Sequence, residues 1–251
     1  MEKEIEIYKP YDREYTIEKI NDRSFLNIKN VRLELNENGY IPKSGLIYDN
    51  ILNKENCKNK NVLDLGCGYL GIIGMLAYLN GAQNVDLVDI DLDALKWLKK
   101  LINDNKMNLN CFYSNFFSNI NNTYDMIISN PPILPMKKGK IHDSGGLDGK
   151  KYLLEILEKS FNYLNKDGEL YLTAFDYLGI DKSYNNEKCL FEIAEQMGYN
   201  KFDISYSVDK IIKKGSETYN NLDYIKSIYP KYKFEENDKL KCKIKILKLG
   251  R

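Results

Sequence analysis

Histidine is almost missing from this chain, with 1 in 251 residues, at position 142. Its place in a Gly- and Lys-rich loop reads as a solvated or hinge residue rather than a general base. Excess charge is missing too: 37 basic against 36 acidic residues leave a net +1. No global field therefore recruits nucleic acid or an anionic membrane. The 5 cysteines (57, 67, 111, 189, 242) contain no Cys-x-x-Cys pair and are odd in number, which argues against a zinc centre or a disulfide framework. They read as free thiols in a reducing compartment. No stretch approaches the roughly 18 apolar residues of a membrane span, and Met-Glu-Lys-Glu-Ile-Glu-Ile at the amino terminus is too charged for a signal peptide. The expectation is a soluble, cytoplasmic protein without metal. Lysine, asparagine and tyrosine abound throughout and carry no specific chemistry by themselves.

What is present is concentrated in residues 61–74, Asn-Val-Leu-Asp-Leu-Gly-Cys-Gly-Tyr-Leu-Gly-Ile-Ile-Gly. An apolar run ending in Asp64 and then Gly66, Gly68 and Gly71 reads as a strand turning sharply into a helix. Gly66 and Gly68 can take positive φ and have no Cβ, so a cofactor can lie against the backbone at the strand's carboxyl end. Glycine spacing alone fits a dinucleotide equally well. A second apolar run, 84–88, ends in Asp89, Ile90 and Asp91, and an acid at that tip can accept both hydroxyls of a ribose. A third run, 124–129, leads into Asn130-Pro131-Pro132-Ile133, with Asp-Ser-Gly-Gly-Leu-Asp-Gly at 143–149 behind it.

Asp-Leu-Gly-Cys-Gly, Val-Asp-Ile-Asp and Ser-Asn-Pro-Pro, in this order over residues 40–180, resemble the class I S-adenosylmethionine-dependent methyltransferases. The branch is the one that methylates nitrogen. The Gly-Gly-Leu-Asp-Gly that follows is most similar to the HemK-type glutamine methyltransferases that modify release factors. The resemblance implies a doubly wound, seven-stranded Rossmann-like α/β sheet whose last strand is antiparallel and inserts between the fifth and sixth.

The periodicity supports that layout with strands at 61–65, 84–89, 110–113, 124–129 and 169–175, and helices at 70–79, 91–103 and 149–164. Leu92, Leu95, Leu98 and Leu101 or Ile102 form one expected buried stripe, and Leu153, Leu154, Leu157 and Leu164 another. A short helix should start near Ser44, and another should run from beyond Asn186 to Met197. Phe202 to Val208 and Lys239 to Ile246 alternate as strands, the latter with one face all lysine. Residues 1–43 form an amino-terminal flank with a β-hairpin from 25–28 and 31–35. Residues 44–251 form the methyltransferase domain, in which 209–238 is too long for a simple connection and reads as a substrate arm.

The resemblance assigns S-adenosylmethionine as cofactor. Gly66 and Gly68 cradle it, Asp64 lies near its amino group and Asp89 takes its ribose. Asn115, where the family commonly has an acid, accepts from the adenine amino group through its amide oxygen. Asn130 and the carbonyl of Pro131 accept both hydrogens of the nucleophilic nitrogen and aim its lone pair. Pro132 completes the turn, and Ile133 stands where the family carries an aromatic. Cys67 reads as a packing residue, and Asp143 and Asp148 as caps of the following helix or as part of the substrate entrance.

The favoured acceptor is an amide or amine nitrogen of a protein or small molecule. Methylation of an RNA or DNA amino group ranks second, drawing on the twelve Lys or Arg against five acids in 210–251. For the lysine face of 239–248 a solvated strand face that discourages aggregation is the preferred explanation, ahead of a partner-binding stripe. A non-catalytic S-adenosylmethionine-binding protein ranks third.

Overall fold

The computed structural model describes residues 3–139 and 143–251, which leaves His142 outside the described residues. Two compact units divide the chain, Met1–Ile120 and Asn121–Arg251.

The first unit opens with four strands, β1 (Lys3–Tyr8), β2 (Tyr15–Ile20), β3 (Arg23–Ile28) and β4 (Val31–Glu34), in an antiparallel sheet of order β1-β2-β3-β4. The expected hairpin is β3 with β4. β1 and β2 were not foreseen, because Lys-Glu-Ile-Glu-Ile alternates with its isoleucines left outside: Ile5 and Ile7 are 61% and 70% exposed. Two short helices follow, α1 (Lys43–Leu46) and α2 (Lys54–Cys57). The cap of α1 is Pro42, without side-chain capping, so the helix begins one residue before Ser44 and lasts barely a turn.

Next come β5 (Asn61–Leu65), α3 (Ile72–Leu79), β6 (Asn84–Asp89), α4 (Leu92–Asp104) and β7 (Asn110–Tyr113), with β5 parallel to β6 and β6 parallel to β7. Val62, Leu63, Val85, Leu87 and Val88 are all buried. A parallel sheet covered on both faces demands this continuous apolar run. On α4 the buried stripe is Leu95, Leu98, Leu101 and Ile102, whereas Leu92 is 66% exposed. Leu92 is the first residue of the helix. The amino-terminal sheet is tied to α4 by Trp97 Nε1 donating to the Glu34 carbonyl at 3.1 Å and Asn105 Nδ2 donating to the Arg32 carbonyl at 3.0 Å.

The second unit contains β8 (Tyr124–Ser129), α5 (Lys151–Tyr163), β9 (Leu164–Phe175), α6 (Leu190–Gln196), β10 (Lys201–Ile211), α7 (Glu217–Asn220), α8 (Leu222–Ile228), β11 (Glu235–Glu236) and β12 (Lys239–Gly250). Its strands run β10-β12-β9-β8, with β9 parallel to β8 and β12 antiparallel to both neighbours. The last strand thus lies between the fifth and sixth of the seven expected strands. On α5 the inward residues are Leu153, Ile156, Leu157 and Ser160. Leu154 is only half-buried, one step off the stripe.

Residues 209–238 are neither loop nor simple connection. They extend β10 to Ile211 and hold α7, α8 and β11. Ile212, Ile225, Tyr229 and Phe234 are buried. Two of the β12 lysines are closely ion-paired: Lys241 with Asp209 and Glu236 at 2.9 and 2.6 Å, and Lys248 with Glu169 at 2.8 Å.

Candidate active site

The first unit carries the glycine turn after β5 and the acid at the end of β6. β5 ends and the chain turns at Gly66 (φ +78°) and Gly68 (φ +63°), conformations that side chains with a Cβ adopt only with strain. A Cβ built at either position meets nothing within 4 Å, so the backbone borders open space. The turn is anchored from behind, where the Gly66 and Cys67 amides donate to the Val88 carbonyl at 2.9 and 3.0 Å.

Asp64 is 1% exposed. Its Oδ2 accepts from the Gly74 amide at 2.8 Å, while Oδ1 is buried without a hydrogen-bond partner among the described residues. Gly74 is needed there: a Cβ would stand 2.2 Å from Leu87 Cδ2 and 3.1 Å from Asp64. Burial pushes the Asp64 carboxyl up to about 7, the Asp89 charge adds to this, and the Gly74 amide opposes it. A buried acceptor with no donor costs free energy unless a ligand satisfies it.

Asp89, half-buried at the tip of β6, accepts from the Gly68 amide through Oδ2 at 2.8 Å and from the Asp91 amide through Oδ1 at 2.9 Å. These bonds fix the carboxylate and leave each oxygen a lone pair. They also occupy the Gly68 N–H, which a pyrophosphate would need, so the turn favours a cationic ligand with a ribose over a dinucleotide. Ile90 and Tyr113 beside Asp89 remain 53% and 40% exposed. The half-buried Cys67 thiol is pushed well up by burial and then by Asp64 and Asp89, which disfavours the thiolate that a nucleophile would need. Asn115 is exposed, in a turn where its amide donates to Ser118 Oγ at 3.1 Å.

The second unit carries the Asn-Pro-Pro half. Asn130, Pro131 and Pro132, all half-buried, directly follow β8. Ile133 is 7% exposed, and its backbone is where the glycines of 145–149 are spent. A Cβ at Gly145 would lie 2.8 Å from Ile133 Cα, and one at Gly149 (φ +80°) would lie 2.6 Å from the Ile133 carbonyl oxygen. Three backbone bonds join the two segments: the Leu134 amide to Asp143 O at 3.1 Å, the Gly145 amide to Leu134 O at 2.9 Å and the Met136 amide to Gly146 O at 2.9 Å. The capping expectation needs correction. Asp148 Oδ1 accepts from the Lys150 amide at 2.9 Å as a local turn, and α5 begins at a Lys150 cap that has no side-chain cap bond.

Two features escaped the sequence reading. Gly74 was quoted but given no part, although a glycine three residues into the helix after a glycine turn is a signal for close helix–strand approach. The tyrosines of 209–238 lacked any periodic signal tying them to particular partners.

Parallel strands, a glycine turn with open backbone, and two carboxylates at successive strand tips define a Rossmann-like protein of the class I methyltransferase kind. Residues 43–205 match the Methyltransferase small domain family, and the chain belongs to it. It is an S-adenosylmethionine-dependent N-methyltransferase.

A relative in Methanocaldococcus jannaschii with the provisional name of protein N5-glutamine methyltransferase is 31% identical over 175 residues, covering 66% of this chain and 86% of that one. The release factor glutamine methyltransferase of Buchnera aphidicola is 34% identical over 145 residues, 52% of each chain. The ribosomal RNA small subunit methyltransferase C of Haemophilus influenzae is 32% identical over 149 residues, 59% of this chain and 41% of that one. The chain thus spans about half or less of the latter two. Among solved structures, the T. Thermophilus 16S rRNA N2 G1207 methyltransferase, in complex with AdoMet and guanosine, superimposes with a TM-score of 0.51 at 16% identity, covering 99% of this chain and 50% of that one. That likeness is one of fold. Among the described residues no helix is long and apolar enough to cross a membrane, and no cluster of three or more metal-ligating side chains occurs.

Proposed function

We infer that the chain methylates an amide or amine nitrogen of a protein, the side-chain amide of glutamine being the acceptor to which the name of the Methanocaldococcus relative points. The observation that carries this is the Asn130-Pro131 pair at the end of β8, backed by a glycine loop that holds the following residues by three backbone bonds.

S-adenosylmethionine supplies a methyl group already activated on a sulfonium. Asp64 Oδ1 would take its amino group, Gly66 and Gly68 its methionine part, and Asp89 its ribose hydroxyls. Ile90 and Tyr113 offer apolar surface to the adenine, with Asn115 as the acceptor for its amino group. The Asn130 side-chain oxygen and the Pro131 carbonyl hold the two hydrogens of the accepting nitrogen, which directs its lone pair. Both acceptors are neutral, so they do not trap the nitrogen as a cation. Pro132 would stiffen the turn, and Ile133, buried with its backbone against Gly145 and Gly149, would fix the segment that follows Asn130. Positioning of this kind can supply up to roughly 7 to 11 kcal/mol of rate acceleration. In this reading 44–251 is the methyltransferase domain, 1–43 a flank and 209–238 a substrate arm.

A second reading, methylation of an RNA base amino group, rests on the Haemophilus relative. Ion pairing of two β12 lysines weakens it, because less free positive charge remains for phosphates. The test uses labelled S-adenosylmethionine with purified release factor and, separately, small-subunit ribosomal RNA. Label is expected on a glutamine of the protein and should fall about 100-fold in Asn130→Ala with S-adenosylhomocysteine affinity preserved. Label in RNA alone would select the second reading. Full turnover by Asn130→Ala would sink the assigned chemistry.

A further inference from the structure

Three residues of the arm within one four-residue stretch, Tyr229, Lys231 and Tyr232, bond to the two connections that follow β8 and β9 in the second unit. The Tyr229 hydroxyl donates to the Asp148 carbonyl at 2.5 Å, and its ring is wholly buried, 5.7 Å from Lys150 Nζ. The Lys231 amide donates to the Tyr184 carbonyl at 3.3 Å, and Lys231 Nζ donates to Asn186 Oδ1 at 3.1 Å. The Tyr232 hydroxyl lies 2.9 and 2.8 Å from the two Asp176 carboxylate oxygens, and Asp176 Oδ1 also accepts from the Lys243 amide at 2.9 Å.

These loops follow the carboxyl ends of β8 and β9, where sheets of this kind bind their ligands. Asp148 is the residue before Gly149, and Gly149 is the residue pressed on the Ile133 carbonyl. The path from the arm toward Asn130 is therefore short: the Tyr229 hydroxyl bonds to Asp148, and the next residue, Gly149, is pressed on Ile133, three residues past Asn130. A buried hydroxyl bonded to a carbonyl in that path removes freedom from the glycine loop, whose residues would otherwise have the widest conformational range.

We propose that Tyr229 to Tyr232 are a staple that holds the substrate-side loops of the second unit in the arrangement needed for transfer, with Tyr229 a positioning residue that acts on Asn130 through the glycine loop. The arm is thus a fixed brace and not a lid that opens for the acceptor. This deepens the functional reading above and rests on Asn130 as the residue that holds the accepting nitrogen.

The test compares Tyr229→Phe, which keeps the ring and removes only the hydroxyl, with the wild type and with Asn130→Ala. The first readout is amide hydrogen exchange, which needs no acceptor. Exchange at the Leu134, Gly145 and Met136 amides should rise about two- to tenfold, the usual worth of one hydrogen bond, with none at the β5 and β6 amides. The second is steady-state kinetics on whichever acceptor, release factor or ribosomal RNA, the wild type labels. There kcat should fall by a similar factor, with KM and S-adenosylhomocysteine affinity unchanged. Uniform acceleration across all amides would reduce Tyr229 to a stability residue and overturn the proposal. So would local loosening with wild-type kcat, or free-protein exchange throughout 209–238 as fast as in an unfolded peptide. A silent Asn130→Ala defeats the parent reading, whereas an inactive Asn130→Ala beside a wild-type Tyr229→Phe defeats only the staple. If neither acceptor is labelled, the exchange result decides the staple alone.

Discussion

Two pairs of glycines, one in each unit, do opposite work. At Gly66 and Gly68 the missing side chains leave open space, with nothing within 4 Å of where a Cβ would stand. At Gly145 and Gly149 they leave no space at all, because the backbone of Ile133 comes to 2.8 and 2.6 Å of the same point. The first pair keeps room for a ligand, and the second lets two segments of chain touch. Polar groups follow the same division. Beside the first pair, Asp64 Oδ1 is buried without a partner among the described residues, whereas the loop that holds the second pair is tied by backbone bonds and by the Tyr229 hydroxyl. A binding surface must hold something back for its ligand. A positioning surface gains from being complete before the ligand arrives.

The comparison breaks most easily at Asp89. Asp89→Ala removes the proposed ribose acceptor and the partner of the Gly68 amide, so S-adenosylhomocysteine affinity should fall by about 1.5 to 3 kcal/mol, the range for hydrogen bonds to a charged group. Calorimetry on the folded variant reads it, and an unchanged affinity would refute the ribose role.

Exchanging glycines between the two uses sharpens the contrast. Gly149→Ala forces a Cβ against a carbonyl at positive φ and should lower folding stability by about 1 to 3 kcal/mol, with little change in S-adenosylhomocysteine affinity. Gly68→Ala, free of any clash, should cost only about 1 kcal/mol of stability from its positive φ and weaken the ligand instead. Melting curves and calorimetry on both variants separate the effects. Equal profiles for the two would erase the distinction.

The smallest effect concerns the proton on Asp64. Its carboxyl lies at about 7 in the free protein, above its ordinary value of 3.8, chiefly through burial. The folded state then binds the proton more tightly than the unfolded one. Its contribution to stability is present below about pH 4 and is lost as pH rises toward 7. A cationic amino group favours the ionised form, so S-adenosylhomocysteine affinity should increase from pH 5.5 to 7.5 by no more than about tenfold per unit. Asp64→Asn should flatten that slope. A slope that persists in the variant assigns the titration to another group.

Four strands, β5 to β8, were legible to the residue, because a strand buried on both faces must be apolar throughout and the turns that end it need glycine, aspartate or proline. Strand β9 was foreseen only from 169, although it begins at Leu164, since Asn165-Lys166-Asp167-Gly168 reads as a turn when the neighbouring strand is unknown. The amino-terminal sheet was half read for a related reason. β1 hides nothing, so its pattern carries no burial signal, and only the bond network beyond it reveals that Trp97 and Asn105 hold β4 in place. Leu92 and Leu154 looked inward by spacing, yet spacing does not say where a helix ends or which of two adjacent apolar residues faces the sheet.

Local covalent chemistry is what the sequence by itself determined: where the backbone can turn without a Cβ, where proline removes a donor, and which side-chain oxygens stand at strand ends. These properties belong to single residues and their neighbours, so Asp64, Gly66, Gly68, Asp89 and Asn130 could be named before any fold was known. Only the tertiary structure decided what each glycine is for, which oxygen of Asp64 is left without a donor, and that Tyr229 reaches Asp148. Those are contacts across up to 81 residues of chain. Packing is a property of surfaces that meet only when the whole chain has folded.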